Sequence, residues 1–559
     1  MSENAQALLG SWKSACTKFD ITSSPSVIQL VTNLEHIAQA LAQDEEARVT
    51  LGADASLWSD LGKLWRDLTR AQLTFWDVDD EETDLTSNKD EDLRTVCGSL
   101  AKFTRNLVAG VPENQARAYE NEPDMRRLLH YHTSWSAMEA DTEAVSVSRV
   151  LTQAISNMVT TNEALMSKLW ETYLNLPEDQ VVLIRLLSSP DPRTVLTVFI
   201  FILNCIHGSR LRSTMLTRTA VGTRVCVSLL DDMLKLYEAE ESSVGSQAFD
   251  VGYDIMTQLI EQGLVPDLYG KFRISGETVT PHQTTLLKIV DSYLHSIQTS
   301  MSSSASELRA IKVKQKLSPM LAKCFLDLSA YARKAVERSI DSLDHSPRSP
   351  SIADTSSNDF SSAKHSRLTE LDVMLPKVCE ALVLVTQCII TITLEAEGES
   401  TDERLDAASD PGLKAFFLET RPDDDGIVKN LIDLLRLLDV FLPRINFGRP
   451  VHSSGGKDTQ TTPTPTKGSA SDPTGFQYLK RDLVRLLGIL CHGVKASQDL
   501  VRTCGGIPVV MNLCVIDERN PYLREHAIFA LHCLLKDNRE NQAVVDAIQP
   551  LGERDEAGS

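Results

Sequence analysis

Apolar residues recur with helical spacing through most of the chain, and near its C-terminal end the same pattern is written twice. Leu483, Leu486, Leu487, Leu490 and Val494 fall at i, i+3, i+4, i+7 and i+11, one stripe of a helix with 3.6 residues per turn. Lys480, Arg481, Asp482 and Arg485 lie mostly off that stripe. Gly493 predicts its stop, and Ser497 an N-cap for a short helix over Gln498 to Arg502. Gly505-Gly506 supplies a turn that accepts positive φ. Pro508 then suits the first turn of a second helix through Cys514, because its missing N–H costs nothing there. Asn520-Pro521 repeats the start signal for a third helix, whose apolar positions are Leu523, Ala527, Ala530, Leu531 and Leu534.

The corner between units recurs. Leu490 to Gln498 ends one apolar helix and opens another, and Leu534 to Gln542 does the same 44 residues later. Asn106 to Gln115 aligns without gaps against Ile489 to Gln498, and Asn204-Cys205-Ile206-His207-Gly208 matches the same corner after the apolar run Val195 to Leu203. Further amphipathic stretches fill the intervals, among them Val145–Leu151, Val181–Leu187, Val225–Leu236 and Leu286–Leu294. No stretch shows sustained strand alternation with hairpin signals. Short, medium and long helices repeating at this period predict an all-α, armadillo-like helical-repeat solenoid. Such an array offers an extended surface to other proteins rather than a catalytic pocket.

Three blocks resemble the C-terminal domain of the ataxin-10 family: Phe476 to Gly488, Gln498 to Arg502 followed by Gly505-Gly506-Ile507-Pro508, and Asn520 to Ala530. The Asn106 to Gln115 block is similar to the family's N-terminal repeats. The resemblance implies a non-catalytic scaffold for protein partners, with a role in cytokinesis and cell division under phosphorylation control. Some members carry a copper-transport label, which makes a copper-homeostasis factor the alternative. Departures from the family pattern are informative. His526 stands where the family usually has tryptophan, and Ile489 and Cys533 stand where armadillo repeats often place asparagine. Those two apolar residues argue against a ladder of peptide-binding asparagines in the last two repeats. Asn106 and Asn204 keep the amide at the equivalent corner, so they are candidates for a partner surface, against helix-to-helix bonding as the plainer account.

Two segments interrupt the helices. Residues 341–367 are Ser-rich with Ser346-Pro347 and Ser349-Pro350, and residues 449–475 are rich in Gly, Ser, Thr and Pro. Neither buries enough apolar surface to order itself, so both predict disordered insertions. A lesser candidate spans Glu395 to Gly412. The resulting division is helical repeats over 1–340, a linker to 367, further repeats over 368–448, a linker to 475, the C-terminal repeats over 476–549 and a polar tail over 550–559. Thr464-Pro465-Thr466-Lys467 has the acceptor, proline and +3 basic residue preferred by cyclin-dependent kinases. Thr464, Thr462, Ser346 and Ser349 are therefore candidate phosphosites, with Lys480, Arg481 and Arg485 as candidate partners for phosphate or protein.

Composition narrows the partners. The 559 residues carry a net charge of −21, which disfavours nucleic acid and anionic membranes as general partners. Part of that charge lies in an acidic loop at 77–92, read as a solvated loop in preference to a docking patch for a basic partner. A 42% hydrophobic content supports a continuous core, and about ten units of roughly 45 residues would fit. The longest apolar run, Val195 to Cys205, is too short to span a bilayer, so no membrane insertion is expected. Eleven cysteines without a C-x-x-C pair, and no signal-peptide pattern at the start, predict a cytosolic protein with thiols in its core. End repeats lack a neighbour on one face, a geometry compatible with a homo-oligomer.

Chemistry is not encoded in any motif. Gly455-Gly456-Lys457 lacks the spacing and flanking strand of a phosphate loop. Copper(I) carriers use closely spaced thiolates or methionines. Here Cys491-His492 and His532-Cys533 are adjacent pairs whose side chains diverge by about 100° on a helix. With His130-Tyr131-His132 they are weighed as core packing, so no metal, cofactor or catalytic residue is expected.

Overall fold

The computed structural model describes residues 3–17, 19–73, 83–134, 142–300, 304–344, 372–399, 412–420, 426–446, 449–450, 476, 478–518 and 520–548. They form two compact units, residues 1–271 and 272–559. Both are built of helices that pack on their neighbours in chain order, an all-α armadillo-like array.

In the first unit the long helices Ser24–Gln43, Thr83–Val108, Thr142–Val159, Pro192–Ile206 and Val244–Glu261 stack as successive rungs. A shorter pair precedes each later rung: Glu45–Gly52 with Ala55–Leu73, Pro112–Ala118 with Glu122–His132, Glu163–Leu174 with Val182–Leu187, and Arg210–Arg218 with Ala220–Leu236. Leucines, valines and isoleucines fill the seams, Leu100, Leu151, Ile202 and Ile255 being fully buried. This is local amphipathicity made tertiary, since each apolar face finds its cover on the next repeat. Of the stretch 77–92 read as an acidic loop, residues 77–82 lie outside the described residues. Residues 83–92 belong to the Thr83–Val108 helix, where Asp90 pairs with Arg94 and accepts from Gln72, contacts that favour the helix over a solvated loop.

One carboxylate in this unit is placed at a cost. Asp232, on the Ala220–Leu236 helix, is buried and accepts from Lys235 at 2.9 Å, while its second oxygen has no partner. Burial pushes its carboxyl from 3.8 up to about 6, against the pull of Lys235. A raised folded value favours the protonated form. Its contribution is therefore complete below about pH 4 and is lost as pH rises through 6. Asp232→Asn should accordingly gain over the parent as pH rises from 4.5 to 7.5, by about 2 kcal/mol at the upper end. Urea midpoints of both proteins across that range check it, and a pH-independent gap would contradict it.

The second unit starts with Pro281–Ser300 and the 41-residue helix Ser304–Asp344, which carries Pro319 internally and breaks the triplet rhythm. That helix packs on Leu375–Glu399 and Ile427–Phe441. Residues 341–344 form its last turn, although Ser/Pro composition placed them in the linker. The regular plan then resumes: Leu413–Glu419, Ile427–Phe441 and Leu479–Cys491, then Lys495–Thr503, Gly506–Leu513 and Leu523–Leu535, with Arg539–Ala547 after them. Ile445–Asn446 and Arg449–Pro450 make a two-residue antiparallel pair.

Details of the last repeats differ from the predicted ones. The short helix begins at Lys495, not Gln498; Val494 is its N-cap and Ser497 is buried inside it, because the chain turns back immediately after left-handed Gly493 (φ 67°). Gly505 does take positive φ (66°), and Pro508 does sit in the first turn of Gly506–Leu513. The apolar stretch Leu375–Leu394 escaped sequence reading because Thr386, Gln387, Thr391 and Thr393 interrupt it. It is the 20-residue apolar span of the Leu375–Glu399 helix, of mean hydropathy 1.7, long and apolar enough to cross a membrane, and Val378, Leu382, Val385, Ile389 and Ile392 are buried in this unit.

Candidate interaction surface

The corner motif that reveals the repeats in the sequence proves to be a clamp. Asn114 donates to the carbonyl of Leu107 at 2.9 Å, Gln498 to Cys491 at 3.3 Å and Asn541 to Leu534 at 2.8 Å, each reaching back seven residues. Arg212 does the same to Cys205. These are last-turn carbonyls that a helix leaves without intrahelical partners. The same amides also cross between repeats: Gln498 to Cys533 and Asn541 to Gln498, with Gln115 bonding Asn157 and Thr160. The motif therefore serves the array itself.

The corner asparagines of the first unit are used similarly. Asn106 donates to the Ala38 carbonyl at 2.8 Å, and Asn157 to that of Arg105 at 3.2 Å. Asn157 precedes left-handed Thr161 by the same interval that separates Asn106 from Gly110, a register the sequence reading missed. Asn204 is half-buried on the Pro192–Ile206 helix. Ile489 and Cys533, at the equivalent corner in the second unit, are buried.

The second unit has four consecutive rungs, Pro281–Ser300, Leu375–Glu399, Leu479–Cys491 and Leu523–Leu535, each packed on the next. A line of polar side chains crosses them. Asp291 lies 3.5 Å from His295 and accepts weakly from the Cys388 thiol. Gln387 donates to Asp482 at 3.0 Å, and Arg481 holds the same carboxylate at 2.7 and 3.1 Å. Asp482 is buried, with the Arg481 guanidinium also 4.2 Å from the centre of the Tyr478 ring. Tyr478 and its repeat-mate Tyr522 both open their rungs in the left-handed region (φ 66° and 64°), which bulky side chains rarely adopt. Neither tyrosine was singled out from the sequence, although both precede a leucine that starts a rung.

Between the first three rungs lies an open recess of about 250 Å³, lined by Asp291, His295, Gln298, Gln387, Thr391 and Arg485 among others. Burial raises the Asp291 carboxyl; His295 opposes that and Asp482 adds to it. Burial lowers His526, on the fourth rung, and the charges of Arg485 and Arg481 lower it further. Burial drives the Cys388 thiol well above its ordinary range, and its hydrogen bond goes to Asp291 rather than to a histidine. A nucleophile needs thiolate character, and burial beside the Asp291 carboxylate holds Cys388 away from it. Cys491 is likewise buried, its thiol raised to about 12. A larger apolar groove of about 610 Å³, between Leu418, Ile427, Val428 and Leu500, has Lys414 and Glu419 as its charged lining among the described residues, and Lys414 donates to the His492 carbonyl. Among the described residues no three His, Cys, Asp or Glu side chains are placed to hold a metal ion.

The three basic candidates part company here. Lys480 is not on the surface: its side chain is 1% exposed, bonded to the Leu442 carbonyl at 2.7 Å and 3.5 Å from Asp439. Packing of the rung on Ile427–Phe441 draws it inward, which its off-stripe position in sequence did not reveal. Arg481 is committed to Asp482. Arg485 is half-buried, and among the described residues no carboxylate lies within ion-pair distance of it. Thr462, Thr464, Ser346 and Ser349 lie outside the described residues.

Residues 479–557 match the family model described as the spinocerebellar ataxia type 10 protein domain. Ataxin-10 of Bos taurus is 25% identical over 237 residues, covering 37% of this chain and 47% of that protein. The ataxin-10 homolog of Dictyostelium discoideum is 36% identical over 95 residues, covering 17% and 15%. Human ataxin-10 is 27% identical over 218 residues, covering 33% and 42%. In each case the match spans less than half the relative's length. The domain model falls on the last two rungs, so over residues 479–557 the chain carries the C-terminal domain of the ataxin-10 family, and it is similar to ataxin-10 proteins over about a third of its length.

Proposed function

We propose that this protein is a non-catalytic, cytosolic scaffold that binds a protein partner along the rungs of its second unit. In this reading it acts in cytokinesis, and phosphorylation at Thr464, Thr462, Ser346 or Ser349 adjusts the interaction. The observation that carries the reading is the distribution of polar groups. Asp291, Gln387, Arg485 and His526 come from four successive rungs, so they form a track rather than a focus. Tracks suit extended polypeptide, whereas catalysis concentrates its groups around one reacting atom.

Gln298 lines this track, is exposed and is well suited to a test. Affinity purification with crosslinking should compare the parent with Gln298→Arg, after circular dichroism shows unchanged helix content. The variant is expected to lose at least one partner that crosslinks to the rungs. Retention of every partner would place the interaction elsewhere. Phosphopeptide mapping from dividing cells should recover phosphate on Thr464; only unmodified peptide there would remove the regulatory part.

A further inference from the structure

Arg485 is the unmatched charge of the track. The chain carries 77 acidic residues against 56 basic ones, yet no described carboxylate reaches this guanidinium, although it is half-buried. Its neighbours explain why it stays unsatisfied. Asp482, three residues before it, is already held twice by Arg481 and once by Gln387. Asp291, on the first rung, is engaged by His295 and the Cys388 thiol. What remains is a planar fork of donors facing a recess of about 250 Å³. The volume accommodates one side chain. Arginine forks match carboxylates with two parallel hydrogen bonds.

We propose that the recess at Arg485 receives a glutamate or aspartate side chain of a protein partner lying across the rungs. The carboxylate bonds the Arg485 guanidinium in a forked manner. Gln298, on the remaining wall, offers hydrogen bonds to the partner's main chain. The inference rests on the track reading above and deepens it by naming the chemistry of the anchoring residue.

Selection of a random 12-residue peptide library, displayed on phage, against the full chain tests this directly. Selected peptides should be enriched in Glu or Asp at one position and should crosslink to the rungs of the second unit. Their binding to Arg485→Gln should be about tenfold weaker or worse. Arg485→Lys, which keeps the charge but loses the fork, should show an intermediate loss. Selection against Arg485→Glu should recover Lys or Arg at the same position. Peptides that crosslink to the rungs without an acidic preference would overturn the Arg485 assignment and leave the track reading standing. Peptides that bind elsewhere, or no binders at all, would overturn both. Equal binding to parent and Arg485→Gln would overturn the assignment alone.

Discussion

Gly488→Val is expected to destabilise the C-terminal repeats by about 3 kcal/mol, the upper range for overpacking a close-fitting interface. A β-carbon at this position would stand 2.9 Å from the Ala530 α-carbon and 3.1 Å from the Phe529 ring. The obstacle is backbone of the next rung, which no side-chain rotation relieves. Leu479–Cys491 and Leu523–Leu535 would have to separate, uncovering Leu483, Leu487 and Leu534, which are fully buried. Hydrogen exchange should show protection falling first in these two helices, with the Pro281–Ser300 rung affected less. Gly488→Ala should lie between parent and valine variant. A valine variant with the parent's unfolding midpoint would mean that the rungs do not approach this closely.

Asp482→Ala should cost about 3–5 kcal/mol, the usual consequence of removing one partner from a buried ion pair. The carboxylate side chain is 1% exposed and the Arg481 guanidinium 20%, so water offers limited compensation to the charge left behind. Gln387 would lose its acceptor on the neighbouring rung at the same time. The pair itself is not expected to be worth that amount, because desolvating two charges opposes their attraction. The double variant Arg481→Met/Asp482→Met should therefore recover much of the loss, giving a coupling well above 0.5 kcal/mol in a double-mutant cycle. Equal losses in the single and double variants would show that Asp482 acts without Arg481. The same comparison bears on the surface, since Arg481 released from Asp482 would join Arg485 as a second open cation.

Much of the architecture is readable along the chain. The stripe from Leu483 to Leu490 is buried, Gly493 and Gly505 adopt the positive φ expected of them, and the 44-residue echo is a repeated structural unit. These are consequences of local spacing and backbone sterics, which a short window of residues contains. Reading failed where a residue's neighbour is distant in sequence. Ser497 became core rather than cap, and Leu375–Leu394 became a single buried helix despite its threonines.

The chain by itself determined the helix type, the repeat period and the likeness of its last repeats to the ataxin-10 domain, because apolar periodicity and corner residues act within one or two turns. Only the tertiary structure decided which polar groups are spent and which stay open. Lys480 is consumed by the Leu442 carbonyl 38 residues away, and Asp482 by Gln387 at a separation of 95, so neither fate is visible in their own segment. Among the described residues no carboxylate pairs with Arg485, because stacking brings Asp482 and Asp291 to it already occupied. Charge satisfaction depends on a sum over every neighbour in space, and that sum exists only once the rungs are packed.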